Sequence, residues 1–111
     1  MNELKKQVQE FQDRVFADRT LESQLLKLEE ELLEYNQAGS KDRMCEELAD
    51  VIIVCWGLEK FNSYIGEDIL YRYDDCINYY NVGVEIKKKL EILKKRKWEK
   101  LPDGRYKHIK D

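Results

Sequence analysis

Apolar residues recur three or four positions apart along most of this chain, the spacing of one face of an α-helix. Over residues 3–17 they fall at Leu4, Val8, Phe11, Val15 and, beside it, Phe16. Asp18-Arg19-Thr20 interrupts the pattern, and Thr20 suits a helix N-cap with Glu22 in the turn that follows. A second helix then carries Leu21, Leu25, Leu28, Leu32 and Tyr35 on one stripe. Glu31 flanks that stripe, Lys27 and Glu34 lie a step further round, and Glu30 turns toward solvent. The break over residues 36–42 contains Gly39, Ser40 and Asp42, which suit a helix stop and a new N-cap.

The third helix, over about residues 42–61, is apolar on a broad face: Leu48, Val51, Ile52, Val54, Cys55 and Leu58. Such a helix belongs at the centre of a bundle or in a subunit interface. Asn62-Ser63-Tyr64 and Gly66 mark another break, after which Ile65, Ile69, Tyr73, Ile77 and Tyr80 predict a tyrosine-rich helix. Asn81 and Gly83 interrupt the chain before a last helix over about residues 84–97, with Ile86, Leu90 and Leu93 as its seam. Leu101-Pro102-Asp103-Gly104 is a turn signal, and residues 105–110 read as a short extended tail. The expected architecture is all-α, a bundle of four or five helices completed by oligomerisation.

Length and composition add limits. The 111 residues suit a single domain with a modest core, 42% hydrophobic and 39% charged, with one proline. Residues 1–10 are polar, unlike a signal peptide, and the longest apolar run, residues 51–56, is far short of the roughly 20 residues that span a bilayer. A cytoplasmic protein is expected, in a bacterium or a phage-infected cell, with no membrane partner. Cys45, Cys55 and Cys76 lack Cys-x-x-Cys spacing, so reduced thiols are expected in place of zinc or a disulfide framework. A net charge of −3 gives no overall pull toward nucleic acid, although acidic residues gather in 22–50 and basic ones in 87–110.

The two central helices each carry carboxylates three apart, Glu31 with Glu34 and Glu47 with Asp50. Helical spacing puts each pair side by side. The short connection favours an antiparallel hairpin, which could bring all four carboxylates together beside an apolar seam. Burial there would be costly unless the carboxylates were paired or metal-bound, and a divalent cation is the best reason for the arrangement.

With those residues in view, the chain resembles the MazG-like all-α nucleoside triphosphate pyrophosphohydrolases. Their acidic signature, Glu-x-x-Glu followed after a spacer by Glu-x-x-Asp, reads here as Glu31-Leu-Leu-Glu34 and Glu47-Leu-Ala-Asp50, with Lys27 one turn before Glu31. A phage and prophage branch of that group carries a Lys-x-x-x-Asn-x-x-Arg-x-Trp pattern, a Pro-Asp-Gly turn and a His-containing tail. This chain has Lys89, Arg96, Trp98, Pro102-Asp103-Gly104 and His108, with Leu93 where the asparagine is usual. The segment over residues 64–81 is also longer than the family's pattern.

The resemblance implies splitting of the α–β phosphate bond by water, giving a (d)NMP and pyrophosphate. It assigns Glu31, Glu34, Glu47 and Asp50 to catalysis and to Mg²⁺, with Mn²⁺ as a substitute. One of these, or Glu30, would orient or deprotonate the water. Mg²⁺ suits such a site because it takes carboxylates together with substrate phosphates. Lys27, Lys89 and Arg96 are the candidate phosphate partners, the last two sharing a helix face two turns apart. Phe11, Phe16 and Trp56 are the aromatic candidates for a base slot, against a plain core role. Trp98 is expected to anchor the tail, and His108 to lie on the surface. A homodimer or homotetramer is expected. The alternative is a non-catalytic helical oligomer that binds nucleotide or a protein partner; a nucleic-acid-binding bundle comes third.

Overall fold

Residues 51–58 are all buried, on every side of the helix they form. No single apolar face can account for that, so the segment needs neighbours all round. The computed structural model, which describes residues 2–109, supplies them. Helices α1 (Asn2–Val15), α2 (Leu21–Asn36), α4 (Ser63–Arg72) and α6 (Val82–Lys95) all pack against α3 (Lys41–Leu58). A six-residue helix, α5 (Asp74–Tyr79), follows α4, and an antiparallel hairpin of β1 (Lys97–Lys100) and β2 (Tyr106–Ile109) ends the described chain. Among the described residues no helix is long and apolar enough to cross a membrane.

The helix ends follow local chemistry. The Thr20 hydroxyl accepts from the Ser23 amide at 3.1 Å, and the Ser23 hydroxyl accepts from the Thr20 amide at 3.0 Å, closing a capping box. Ser40 caps α3 through the Arg43 amide. Arg19 is buried and donates to the carbonyls of Gln12 and Phe16 at 3.1 and 3.2 Å, which ends α1 two residues earlier than the hydrophobic spacing alone predicts.

The architecture is an all-α bundle, with six helices among the described residues in place of the expected four or five and an added hairpin. The tyrosine-rich segment divides at Tyr73, whose ring meets Tyr35 edge-on at 5.4 Å and whose backbone leaves helical geometry. The tail is extended, as expected, but pairs back on β1 around Gly104, which has a φ of +90° that favours glycine. Trp98 and Tyr106 dock the hairpin on Phe16, with ring centroids 5.0 and 4.6 Å away. The end of the expected tail, Lys110, lies outside the described residues.

Gly66 is not a break. It sits inside α4, where a Cβ would stand 2.6 Å from the Cys55 carbonyl oxygen, so its lack of a side chain lets α4 lie directly on α3. Helix propensity alone predicts that Gly66→Ala stabilises by about 1 kcal/mol. The backbone contact reverses the sign, and we expect a net loss of about 1–3 kcal/mol in chemical denaturation. A variant as stable as the parent would show that the two helices can part without cost.

Candidate functional site

The α2–α3 hairpin brings Glu31, Glu34 and Glu47 together: one carboxylate oxygen from each lies within 4.8 Å of the others. Glu31 and Glu47 are buried, whereas Glu34 is exposed. Both buried groups are built alike. Lys27 Nζ holds Glu31 Oε1 at 3.0 Å, and an Arg43 guanidinium nitrogen holds Glu47 Oε1 at 3.0 Å, each cation one turn earlier in the same helix. The second oxygen of each, Oε2, is buried without a hydrogen-bond partner among the described residues. Asp50 stands outside the trio and bonds Lys89 Nζ of α6 at 3.2 Å.

Burial and crowding raise the proton affinity of these groups. Glu31 is pushed from the ordinary 4.5 up to about 7, by burial first and then by the Asp50 charge, against the opposing pull of Lys27. Burial also raises Glu47, helped by its closeness to Glu34 and Asp50. Asp50 goes up through burial, with Lys89 opposing. Lys27 moves the other way in charge preference: burial disfavours its ammonium, but Glu31, Glu30 and Glu34 outweigh that and raise it.

A divalent cation fits this donor set. Two buried carboxylate oxygens lack any donor, a third carboxylate is adjacent, and hard cations take oxygen ligands. Glu31, Glu34 and Glu47 are the residues that could hold it, with Asp50 within electrostatic reach of Glu31 and Glu47.

Beside the carboxylates runs a cleft of about 620 Å³ between α2, α3, α6 and the hairpin. Lys27, Lys89 and Arg96 all line it, so the three expected cations share one cavity. Of the aromatic candidates, Phe16 lines the cleft, whereas Phe11 and Trp56 are buried in the core and do not line it. Leu93, in place of the amide of the related pattern, is a cleft residue too. Trp98 anchors the hairpin as expected and also forms cleft wall; His108 is half-buried and lines the cleft, not a bare surface position.

Sequence reasoning missed Arg105, which lines the cleft and bonds Glu30 at 3.2 Å and Asp103 at 2.8 Å. Its signal was faint: an arginine just after the Pro-Asp-Gly turn, brought to α2 only when the hairpin folds back. It also missed Gln12, a buried amide on α1 that lines the same cleft.

These features define an all-α bundle with a buried carboxylate cluster at the edge of a cationic cleft, a site suited to phosphate hydrolysis. A protein of Salmonella phage PMBT28 named dATP/dGTP diphosphohydrolase is 29% identical to this chain over 109 residues. The match takes in 98% of this chain but 31% of the phage protein, so the chain spans about a third of that relative's length. No protein-family model matches the chain, and no solved structure matches it.

The raised glutamate has a consequence for stability. A carboxyl whose folded pKa exceeds its unfolded value contributes fully below about 4.5, and the contribution is lost as pH rises toward about 7. We expect the metal-free protein to lose roughly 2–3 kcal/mol over that window, read as a falling thermal midpoint. Glu31→Gln should flatten the profile, and Mg²⁺ at neutral pH should restore the midpoint of the parent. A metal-free midpoint that climbs steadily to neutral pH would contradict the assignment.

Proposed function

We propose that this chain is a divalent-metal-dependent nucleoside triphosphate pyrophosphohydrolase of the MazG-like kind, converting (d)NTP and water to (d)NMP and pyrophosphate. The observation that carries the reading is the convergence of Glu31, Glu34 and Glu47 with two buried, unpartnered oxygens beside a cleft lined by cations. The similarity to a phage protein named dATP/dGTP diphosphohydrolase supports it and makes dATP and dGTP the first substrates to try. Residues 1–111 are proposed to form one catalytic unit, phage-encoded and cytoplasmic, working as a homodimer or homotetramer.

In this reading Glu31, Glu34, Glu47 and Asp50 hold Mg²⁺, or Mn²⁺ in its place. The cation, when bound, supplies charge neutralisation for the triphosphate and a lowered pKa for the attacking water. Lys27, Lys89, Arg96 and Arg105 hold phosphate oxygens, arginine through a planar fork and lysine as a point charge. Lys89 must exchange its Asp50 contact for the substrate, which frees that carboxylate as the triphosphate arrives. Water adds its OH to one phosphorus of the α–β bridge, the bridging oxygen leaves with the other, and the released proton passes to a carboxylate of the cluster or to Glu30.

The test is ion-exchange product analysis with each common NTP and dNTP, in Mg²⁺ or in EDTA. Monophosphate plus pyrophosphate, formed only with metal, is the expected outcome. Glu47→Gln should lower kcat/KM by about 100-fold or more, the worth of several kcal/mol of lost charge stabilisation, while the fold persists by circular dichroism. Diphosphate plus orthophosphate would show that a different bond is cut. No product from any nucleotide would favour the non-catalytic reading, an oligomer that retains the cluster for binding or structure.

A further inference from the structure

The chain turns from α6 into β1 through a single residue, Arg96, whose backbone is extended at φ −80° and ψ 151°. Lys95, the last residue of α6, Arg96 and Lys97, the first residue of β1, all line a second cavity at this corner, of about 280 Å³. His108 joins them from β2, where it is paired with Trp98. Two exposed isoleucines, Ile92 and Ile109, complete the lining. Among the described residues the lining therefore holds three cations and an imidazole, and no carboxylate. The cavity adjoins the carboxylate cleft and shares Arg96, His108 and Ile92 with it.

The cations of the two cavities differ in one respect. In the cleft, Lys27, Lys89 and Arg105 hold the carboxylates of Glu31, Asp50 and Glu30. Lys95, Arg96 and Lys97 hold no carboxylate among the described residues. An anion bound by the cleft lysines must displace a partner, whereas one that enters the corner displaces only water. The C-terminal end of α6 opposes it with about half a negative charge, which three full positive charges outweigh. The volume lies just below the roughly 300 Å³ at which small-molecule sites begin. That size suits a small polyanion better than a whole nucleoside triphosphate.

We propose that this corner is a second anion site, which takes a phosphate group through Lys95, Lys97 and the shared Arg96. Arginine can offer a phosphate two parallel N–H bonds, and the lysines add point charge. The His108 ring offers a further N–H donor. The phosphate belongs either to an inorganic oligophosphate or to a nucleotide. Because Arg96 and His108 line both cavities, an occupant of the corner competes with a cleft ligand for the same guanidinium. The proposal stands on charge and shape and does not depend on hydrolysis.

His108 is the one histidine of the chain, so its ring resonances can be followed by NMR without ambiguity. The test is titration of the full chain in EDTA with inorganic pyrophosphate and, separately, with dAMP, at fixed pH and ionic strength. A saturable shift of the His108 ring is expected, weakened by added salt. The double variant Lys95→Gln/Lys97→Gln alters two exposed residues that do not line the cleft, and should weaken binding by about 10-fold. Lys27→Gln, which alters the cleft and not the corner, should leave a saturable shift in place. Tighter binding of pyrophosphate would make an inorganic anion the occupant, and tighter binding of dAMP a nucleotide; either order supports the site. No shift, a shift that never saturates, or equal affinity in parent and double variant would overturn it, the last by placing the anion in the cleft. Because binding is read without metal or turnover, a shift that is saturable and variant-sensitive in a protein that hydrolyses nothing would overturn the enzymatic reading and leave this site standing.

Discussion

Two buried glutamates with one free oxygen each are the constraint on which the rest of this structure turns. Glu31 and Glu47 sit on neighbouring helices, each with Oε1 held by a cation one turn earlier and Oε2 buried without a partner. Half-satisfied buried carboxylates are poor stabilising elements, because desolvation of the charge outweighs a single ion pair. Their place in the fold makes sense if stability is given up locally for a site that a cation completes. The upward shift of Glu31, driven first by burial, is the electrostatic mark of that trade.

The packing around α3 keeps the two glutamates in register. Helix α3 is buried on all sides over residues 51–58, so Glu47 and Asp50 are carried on the most constrained element of the molecule. Its partners also reach it through backbone contacts: Gln9 and Gln12 donate to the Trp56 and Ile53 carbonyls at 2.9 Å, and Gly66 lets α4 approach the Cys55 carbonyl. The hairpin closes the far wall of the cleft through Phe16 and through two ion pairs, Lys100 with Asp18 and Arg105 with Glu30. Both pairs are solvent-exposed in part, so the aromatic docking carries more of the attachment than the charges do.

What was legible in the sequence was local. The acidic pairs, the Thr20 and Ser40 caps and the apolar seam of α3 all follow from spacing within a few residues, and the bundle follows from them. What was hidden depends on contacts far apart in the chain. Asp50 looked equivalent to the other three carboxylates, but it pairs with Lys89, thirty-nine residues away. Lys-Trp-Glu-Lys has no alternating pattern that announces a strand; its pairing is set by the turn at Gly104 and by docking on Phe16. Gly66 read as a breaker because a sequence does not show what a glycine lies against.

The most direct measurement is calorimetric titration of Mn²⁺ into the metal-free protein near pH 7, repeated in two buffers of different ionisation enthalpy. If Glu31 is protonated at that pH and the cluster holds the cation, binding is saturable, releases protons, and is lost in both Glu31→Gln and Glu47→Gln. Binding that is absent, or that persists unchanged in folded variants of both glutamates, would contradict the claim that this pair of helices is built around a metal.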